Sequence, residues 1–467
     1  MLSLSQAFEN NWAGRLDAAY FLKRDLRRIA LLEGRDHELL GSSCYVTDGI
    51  HTSIDFDEGS GIKVLSAKHP KDGLFDLRVH EEISVASHTA NPRTALRSGD
   101  VLISTVGTIG NAAVVQHEML PANSDRHVGI IRPLADADRP ISSEFLTSFL
   151  ISSYGRMQSV RETTGNVQPN LFLGKIREMR IARFSDVLEA EIATCSIHAH
   201  TQLRAQEQRV QEAEQLLMKA LGFADWTPPE PLAYAAKASD ALTAGRLDAQ
   251  YFMPAKEQVK YALGALPGKI LSDRVSSIRE QWVPDRAPPT MRVRNYDVTD
   301  ALVPLLDAEK EPSFAADIGS MKKVLRDGDV AVSRLRAYLK EIAVVRTGDA
   351  IPSVGSSEFV VLRPKGTEIS PETLMVFLRS TPVQTILKWC QDGSQHPRFS
   401  EGDLLSIPVP DAIAAASAKV TVIVQEGFIA RDRARRLLDA AKRAVEIAIE
   451  DSESAALAYL AAVEGAN

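Results

Sequence analysis

The chain has 467 residues, 45% hydrophobic and 25% charged, with 54 Lys and Arg against 61 Asp and Glu for a net charge of −7. These values suit soluble globular protein of two or more domains and exclude a disordered or strongly basic chain. Three scattered cysteines (Cys44, Cys195, Cys390) exclude a disulfide framework and a Cys-based zinc site.

In chain order, the N-terminus MLSLSQAFENNW has neither a basic start nor an apolar core, and no uninterrupted apolar run reaches about 18 residues, so the expected location is cytoplasmic, without a membrane span. Gly14-Arg15-Leu16-Asp17-Ala18-Ala19-Tyr20-Phe21 follows, and it returns half a chain later as Gly245-Arg246-Leu247-Asp248-Ala249-Gln250-Tyr251-Phe252. Gly99-Asp100-Val101 and Arg132-Pro133 recur at nearly the same offset as Gly328-Asp329-Val330 and Arg363-Pro364; Gly165 and Pro169 match Gly393 and Pro397. A period this long means two duplicated domains, not a solenoid. Each repeated part is close to neutral, so a nucleic-acid surface has to be a local patch.

Short β-branched runs come next in each half: Val101-Leu102-Ile103-Ser104, Ala112-Ala113-Val114-Val115 and Val128-Gly129-Ile130-Ile131, then Val330-Ala331-Val332-Ser333, Ile342-Ala343-Val344-Val345 and Phe359-Val360-Val361-Leu362. Turn residues interrupt them, as expected of short strands. Helical stretches over 144–158 and 372–388 follow, then a Gly/Pro loop, then a long helix. The first long helix is expected over 185–222, with Ser185-Asp186 as N-cap signal, Gly222 as terminator and Pro228-Pro229 beyond; it measures roughly 57 Å at ~1.5 Å per residue. Leu203, Val210 and Leu217 fall on a heptad step, with Ala199, Gln206, Ala213 and Ala220 beside it. The second long helix, over 412–450, places Leu438, Ala441, Val445 and Ala448 on one face. Narrow apolar stripes on helices this long call for partner helices, and an antiparallel pairing of the two is the preferred reading over separate cores.

These features together resemble the specificity subunit of type I restriction–modification systems. The resemblance rests on GDVLISTVGTIGNAAVV (99–115), similar to the family's strand–glycine loop–strand stretch, and on TTGNVQPNLFLGKIREMRIA (163–182), similar to its Gly-x-x-x-Pro loop before a closing strand. DGSQHPRFSEGDLLSIPVP (392–410) is a close variant, and RLDAxYF is frequent where such modules begin. The second half departs from the pattern, with Arg334-Leu335-Arg336-Ala337-Tyr338 replacing Thr105-Val106-Gly107-Thr108-Ile109-Gly110. The resemblance implies a duplicated α/β (α+β) fold. On that resemblance, two target-recognition domains (1–184 and 229–410) are expected to be separated by two long helices (185–228 with its linker, and 411–467 with its tail) that form an antiparallel coiled coil with pseudo-two-fold symmetry. It also implies double-stranded DNA as ligand and two docked copies of an S-adenosylmethionine-dependent adenine methyltransferase, with a motor–nuclease subunit in a full complex. By the same resemblance S-adenosylmethionine is expected in the partner, and no cofactor is expected in this chain.

Catalytic motifs are missing. The sequence has no Gly-x-x-x-x-Gly-Lys-Ser/Thr phosphate loop. Its Pro-Pro pairs, Pro228-Pro229 and Pro288-Pro289, lack the flanking residues of an amino-methyltransferase motif, and neither Pro284-Asp285 nor Pro410-Asp411 opens a nuclease signature. His198 and His200, two apart on a helix, face different ways and make a poor metal pair.

DNA contact is expected in both halves. In the first half, Thr105, Thr108 and Asn111 are short polar side chains around the turn glycines Gly107 and Gly110. In the second, Arg334, Arg336, Tyr338 and Lys340 alternate, which on a strand puts them on one face, where arginine suits guanine and a solvated edge is the competing reading. Arg292 and Arg294, with Asn295, form a weaker set of the same type. Gln168, Asn170 and Arg398, with Gln395 and His396, flank the proline loops and either hold them or read bases. Arg15/Asp17 and Arg246/Asp248 are identical in both halves and are expected to be structural, as an ion pair with an aromatic plug. The reading is a non-catalytic, bipartite DNA-recognition subunit. A recognition subunit of another methylation-based defence system, or a protein–protein scaffold without base readout, remain the alternatives.

Overall fold

Apolar runs without alternation mean strands covered on both faces, and both halves are built that way. In the computed structural model, whose described residues are 15, 17–18, 20–164 and 169–465, Val101–Ser104 lies between Val128–Pro133 and Ala112–Val114, all antiparallel, with Cys44–Asp48 on the far side of Val128–Pro133. Val101 and Ile103 point into a core with Phe145, Phe149 and Tyr154 of the helices. Leu102 points the other way, to Leu65 and Ala122 of a smaller sheet. The second half repeats this order with Val275–Ile278, Phe359–Pro364, Val330–Ser333 and Ile342–Arg346. Val330 and Val332 join Leu374 and Phe377, while Ala331 joins Tyr296 and Leu325.

The match extends strand by strand. Lys63–Leu65 pairs parallel with Ala122–Ser124 and antiparallel with Glu81–Glu82; Arg292–Tyr296 pairs parallel with Ser353–Gly355 and antiparallel with Ser313–Phe314. His37–Leu39 with Arg180–Ala182 corresponds to Gly268–Ile270 with Pro408–Pro410. Leu305–Asp307, parallel to the Ile342–Arg346 strand, has its counterpart in a single parallel bridge between Gly73 and Ala113.

The helical stretches expected over 144–158 and 372–388 are each two helices: Ser143–Ile151 and Ser153–Arg161, then Pro371–Arg379 and Thr381–Cys390. The breaks fall on buried serines in extended backbone, Ser152 and Ser380. The Ser152 hydroxyl accepts from the Tyr154 and Gly155 N–H groups, and Pro382 stands in the first turn after Ser380, where its missing N–H costs nothing. Continuous hydropathy hid both corners.

The chain divides into two compact units, Met1–Arg204 with Arg431–Asn467, and Ala205–Ala430. The long helices are Asp186–Leu221 and Asp411–Glu450, so each gives one part to each unit. The first ends as expected: Gly222 has φ 75°, and the Phe223 N–H reaches the Met218 carbonyl at 2.8 Å. In the first unit, Leu188, Ile192 and Ala199 from the start of one helix share a core with Ala441, Val445 and Ile449 from the end of the other. In the second, Ala213 and Leu217 near the end of the first helix share a core with Val420 and Val424 near the start of the second. Asp411–Glu450 is long and apolar enough, by length and composition alone, to cross a membrane. Its Ile413, Val420 and Val424 are fully buried against the second unit's own residues, as in a core helix.

Candidate nucleic-acid interface

Most of the repeated phrases turn out to be braces. Asp100, 1% exposed, accepts from Arg132 Nε and Nη2 at 2.7 Å each and from the Arg97 N–H at 2.8 Å. Asp329 does the same with Arg363 (2.7 and 2.9 Å) and the Arg326 N–H. In the RLDAxYF phrase, Gly14, Leu16 and Ala19 lie outside the described residues. Arg15 Nε donates to Asp17 at 2.7 Å, and Arg15 Nη1 reaches the Arg161 and Thr163 carbonyls where the Ser153–Arg161 helix ends. Arg246 pairs with Asp248 at 2.7 Å and reaches the Cys390 and Gln391 carbonyls at the end of Thr381–Cys390. Each aspartate also accepts the N–H of the following tyrosine at 3.0 Å, and each arginine lies over that ring, Tyr20 at 5.0 Å and Tyr251 at 4.5 Å. The Arg15 and Arg246 hydrogen bonds hold Asp17 and Asp248 below the usual carboxylate range. The expected ion pair is thus present in both halves, seated on a helix C-terminus that favours cations. Tyr20 is buried as a plug would be, whereas Tyr251 is only half-buried.

The other two phrases meet. The loop after Val101–Ser104 and the proline loop pair through Val106 and Asn170, and the Leu171 N–H donates to the Thr105 carbonyl at 2.9 Å. The second half pairs Leu335 with Arg398, and the Phe399 N–H donates to the Arg334 carbonyl at 3.3 Å. A third segment joins each: the Thr105 N–H donates to the His127 carbonyl (3.2 Å), and the Arg334 N–H to the Glu358 carbonyl (3.1 Å). Thr105, His127 and Asn170 therefore occupy the same backbone positions as Arg334, Glu358 and Arg398, with different side chains.

In the first unit these residues line a cleft of about 430 Å³ together with Asp48, His51, Arg126 and Phe172. Thr105, expected at the DNA surface, is instead buried, and its hydroxyl donates to the His127 carbonyl at 2.8 Å. His51 Nε2 meets Asp48 at 2.5 Å, His127 Nδ1 meets Asp125 at 3.1 Å, and the Phe172 ring is 56% exposed. Thr108 donates to the Ala67 carbonyl, and Asn111 accepts from Arg156, which also pairs with Asp72. Gln168 lies outside the described residues. Asp48, His51, Arg126 and His127 escaped the sequence reading because they come from separate segments without a motif.

In the second unit the expected strand through Arg334, Arg336, Tyr338 and Lys340 is not there. The strand ends at Ser333, and Ala337–Leu339 is a tight helical turn flanked by Arg336 (φ 48°) and Lys340 (φ 53°), both left-handed. Hydrogen bonds hold this shape: the Arg336 N–H to the Pro397 carbonyl at 2.9 Å, and the Lys340 N–H to the Ala337 carbonyl at 2.8 Å. Alternation on one face is lost, and packing against the proline loop gathers the arginines instead. Arg334 Nη2 lies 3.4 Å from Glu358, Arg398 Nη2 lies 2.8 Å from it, and Arg336 Nη2 lies 3.3 Å from His396 Nδ1. The Arg398 hydrogen bonds, with both guanidinium charges, hold Glu358 below the usual carboxylate range. Tyr338 is exposed, and the Lys340 carbonyl accepts from Arg379. The neutral module thus carries a cationic patch around one carboxylate. Arg292 is exposed over the Phe314 ring, whereas Arg294 is buried, bidentate on Asp349 at 2.9 and 2.8 Å and bonded to the Lys310 carbonyl.

No family model matches the sequence, and no curated protein matches it. Among solved structures, the type I restriction–modification system S subunit from M. genitalium is 12% identical, over 88% of this chain and 95% of that one, with a TM-score of 0.39. The HsdS subunit from Thermoanaerobacter tengcongensis, and a chain from a structure on complex assembly and conformational transition of the type I R-M system, are each 15% identical. Each match covers 90% of this chain and 97% of the other, with a TM-score of 0.28. The likeness is distant.

Proposed function

We propose that this chain is a non-catalytic DNA-recognition subunit of a type I restriction–modification-like assembly, in which each duplicated module reads one part of a bipartite, asymmetric site. One observation carries the reading. The paired loops keep the same backbone hydrogen bonds in both modules, while the side chains change from Thr105, His127 and Asn170 to Arg334, Glu358 and Arg398. Thr105 is buried, so the changed side chains open to solvent are His127 and Asn170 against Arg334, Glu358 and Arg398. A kept framework with changed side chains at its surface is the pattern expected of two readers for two sequences, with phosphate contacts setting register and base edges giving specificity. The module pair and the two long helices, paired as an antiparallel coiled coil, would dock two adenine methyltransferase subunits, and a motor–nuclease subunit in a complete system. S-adenosylmethionine is assigned to the methyltransferase, and the location to the cytoplasm. Methylome sequencing of cells with and without the gene tests this: a split, non-palindromic adenine-methylation motif should disappear with the gene. Identical methylomes in cells that express both this chain and its methyltransferase would sink the reading in favour of a scaffold.

A further inference from the structure

We infer that Arg398 is a guanine-reading residue of the second module and that Glu358 is its positioning residue. The inference rests on the DNA-reader reading above and assigns the base class that one of its two surfaces takes. Arginine carries its N–H donors on a planar fork: one on Nε and two on each terminal nitrogen. Arg398 Nε lies 3.1 and 3.0 Å from the two Glu358 oxygens, and Nη2 lies 2.8 Å from Oε1. Nη1 donates to the His396 carbonyl at 2.8 Å. These bonds use the Nε–H and one N–H of each terminal nitrogen, leaving one on Nη1 and one on Nη2. A pair of adjacent donors is what a guanine major-groove edge, with its O6 and N7 acceptors, takes. The side chain is 42% exposed, so the fork is held on one side and open on the other.

Orientation distinguishes this arginine from a mobile surface cation. Glu358 is anchored where the strand Phe359–Pro364 begins, and Arg334 approaches the same carboxylate from the other loop. A guanidinium fixed at both Nε and Nη1 loses little rotamer freedom on meeting a base, which favours readout of one position. The first module has Asn170 and His127 at these positions and cannot present the fork, so the effect belongs to one half-site only.

The test uses the full-length chain and a library of randomised DNA duplexes, with selection and sequencing for wild type, Arg398→Lys and Glu358→Gln. Lysine keeps the charge and loses the fork; glutamine keeps an oxygen and loses the charge that orients it. The wild type should enrich a motif with guanine at one position of one half-site. Both variants should lose preference there by roughly tenfold to hundredfold, while the other half-site and the salt dependence of binding to unselected duplex stay unchanged. An Arg398→Lys motif identical to wild type overturns the assignment, as does a uniform loss across all sequences with a shallower salt slope, which marks a phosphate contact. An intact motif in folded Glu358→Gln overturns the positioning role. If that variant does not fold, Arg398→Lys alone decides the guanine assignment, and Glu358→Asp, which keeps the charge but draws the carboxylate back from Arg398, should weaken the guanine preference; an unchanged preference overturns the positioning role. A wild-type chain that binds duplex but enriches nothing fails the reader reading itself, and the guanine assignment with it.

Discussion

Asp100 and Asp329 make the same bonds in very similar settings, which turns the duplication into a controlled comparison. Both carboxylates are buried, but the Arg132 side chain is 18% exposed and that of Arg363 is 35% exposed. Removing a buried partner leaves a guanidinium uncompensated, at a cost of about 3 kcal/mol or more, and water recovers part of that where the arginine is open. Asp100→Asn should therefore lower unfolding free energy by about 3 kcal/mol and Asp329→Asn by distinctly less, read by urea denaturation of each full-length variant. A larger loss at Asp329, or less than about 1 kcal/mol at Asp100, contradicts the assignment of these pairs as braces.

Among the elements, the long helices raise the question of how closely they approach. Gly427 lies inside Asp411–Glu450, where glycine costs roughly 1 kcal/mol relative to alanine. A Cβ at 427 would stand 3.2 Å from Arg209 Cβ and 3.4 Å from the Gln206 carbonyl. Arg209 also faces Glu426 at 3.3 Å. The missing side chain thus permits backbone approach, and Gly427→Leu should cost about 1–3 kcal/mol through forced separation, despite leucine's better helix propensity. Thermal unfolding measures it; a neutral or stabilised variant would show that the helices have room. The pairs of short helices show the same reach: Glu446 of the second long helix accepts the Ser153 N–H at 2.9 Å, and Glu214 of the first accepts the Thr381 N–H at 3.3 Å. Each caps the helix that follows a serine corner.

For the whole molecule, the consequence is that neither half of the sequence builds its unit alone. Residues 1–228 keep the first module but lose Leu437, Leu438, Ala441, Val445 and Ile449, which the C-terminal segment supplies to the first unit's core. The truncated chain still holds a related stripe, Ala213, Leu217 and Leu221, in the part of the first long helix that belongs to the other unit. A fragment lacking 229–467 should therefore fold as a two-fold homodimer, each copy covering the other's core, with a melting temperature that rises with concentration. Light scattering that finds a folded monomer at micromolar concentration contradicts this.

The duplication, the central strands and both long helices were legible in the amino-acid order alone, because repetition, β-branched runs and heptad spacing are local signals. The structural role of the Arg15/Asp17 and Arg246/Asp248 phrases followed from their identity in both halves. Other features needed the folded chain. Ser152 and Ser380 break helices whose hydropathy is continuous, because corner geometry depends on what caps the next turn. Arg334–Lys340 reads as a strand by alternation, but hydrogen bonds to Pro397 and within the turn hold Arg336 and Lys340 left-handed. His127 and Glu358 carry no motif, and only the pairing of strand ends with loops distant in sequence brings them beside Asn170 and Arg398. Periodicity reports which face of an element is buried; which side chains converge at a loop surface is set by long-range pairing, and that exists only once the sheets have closed.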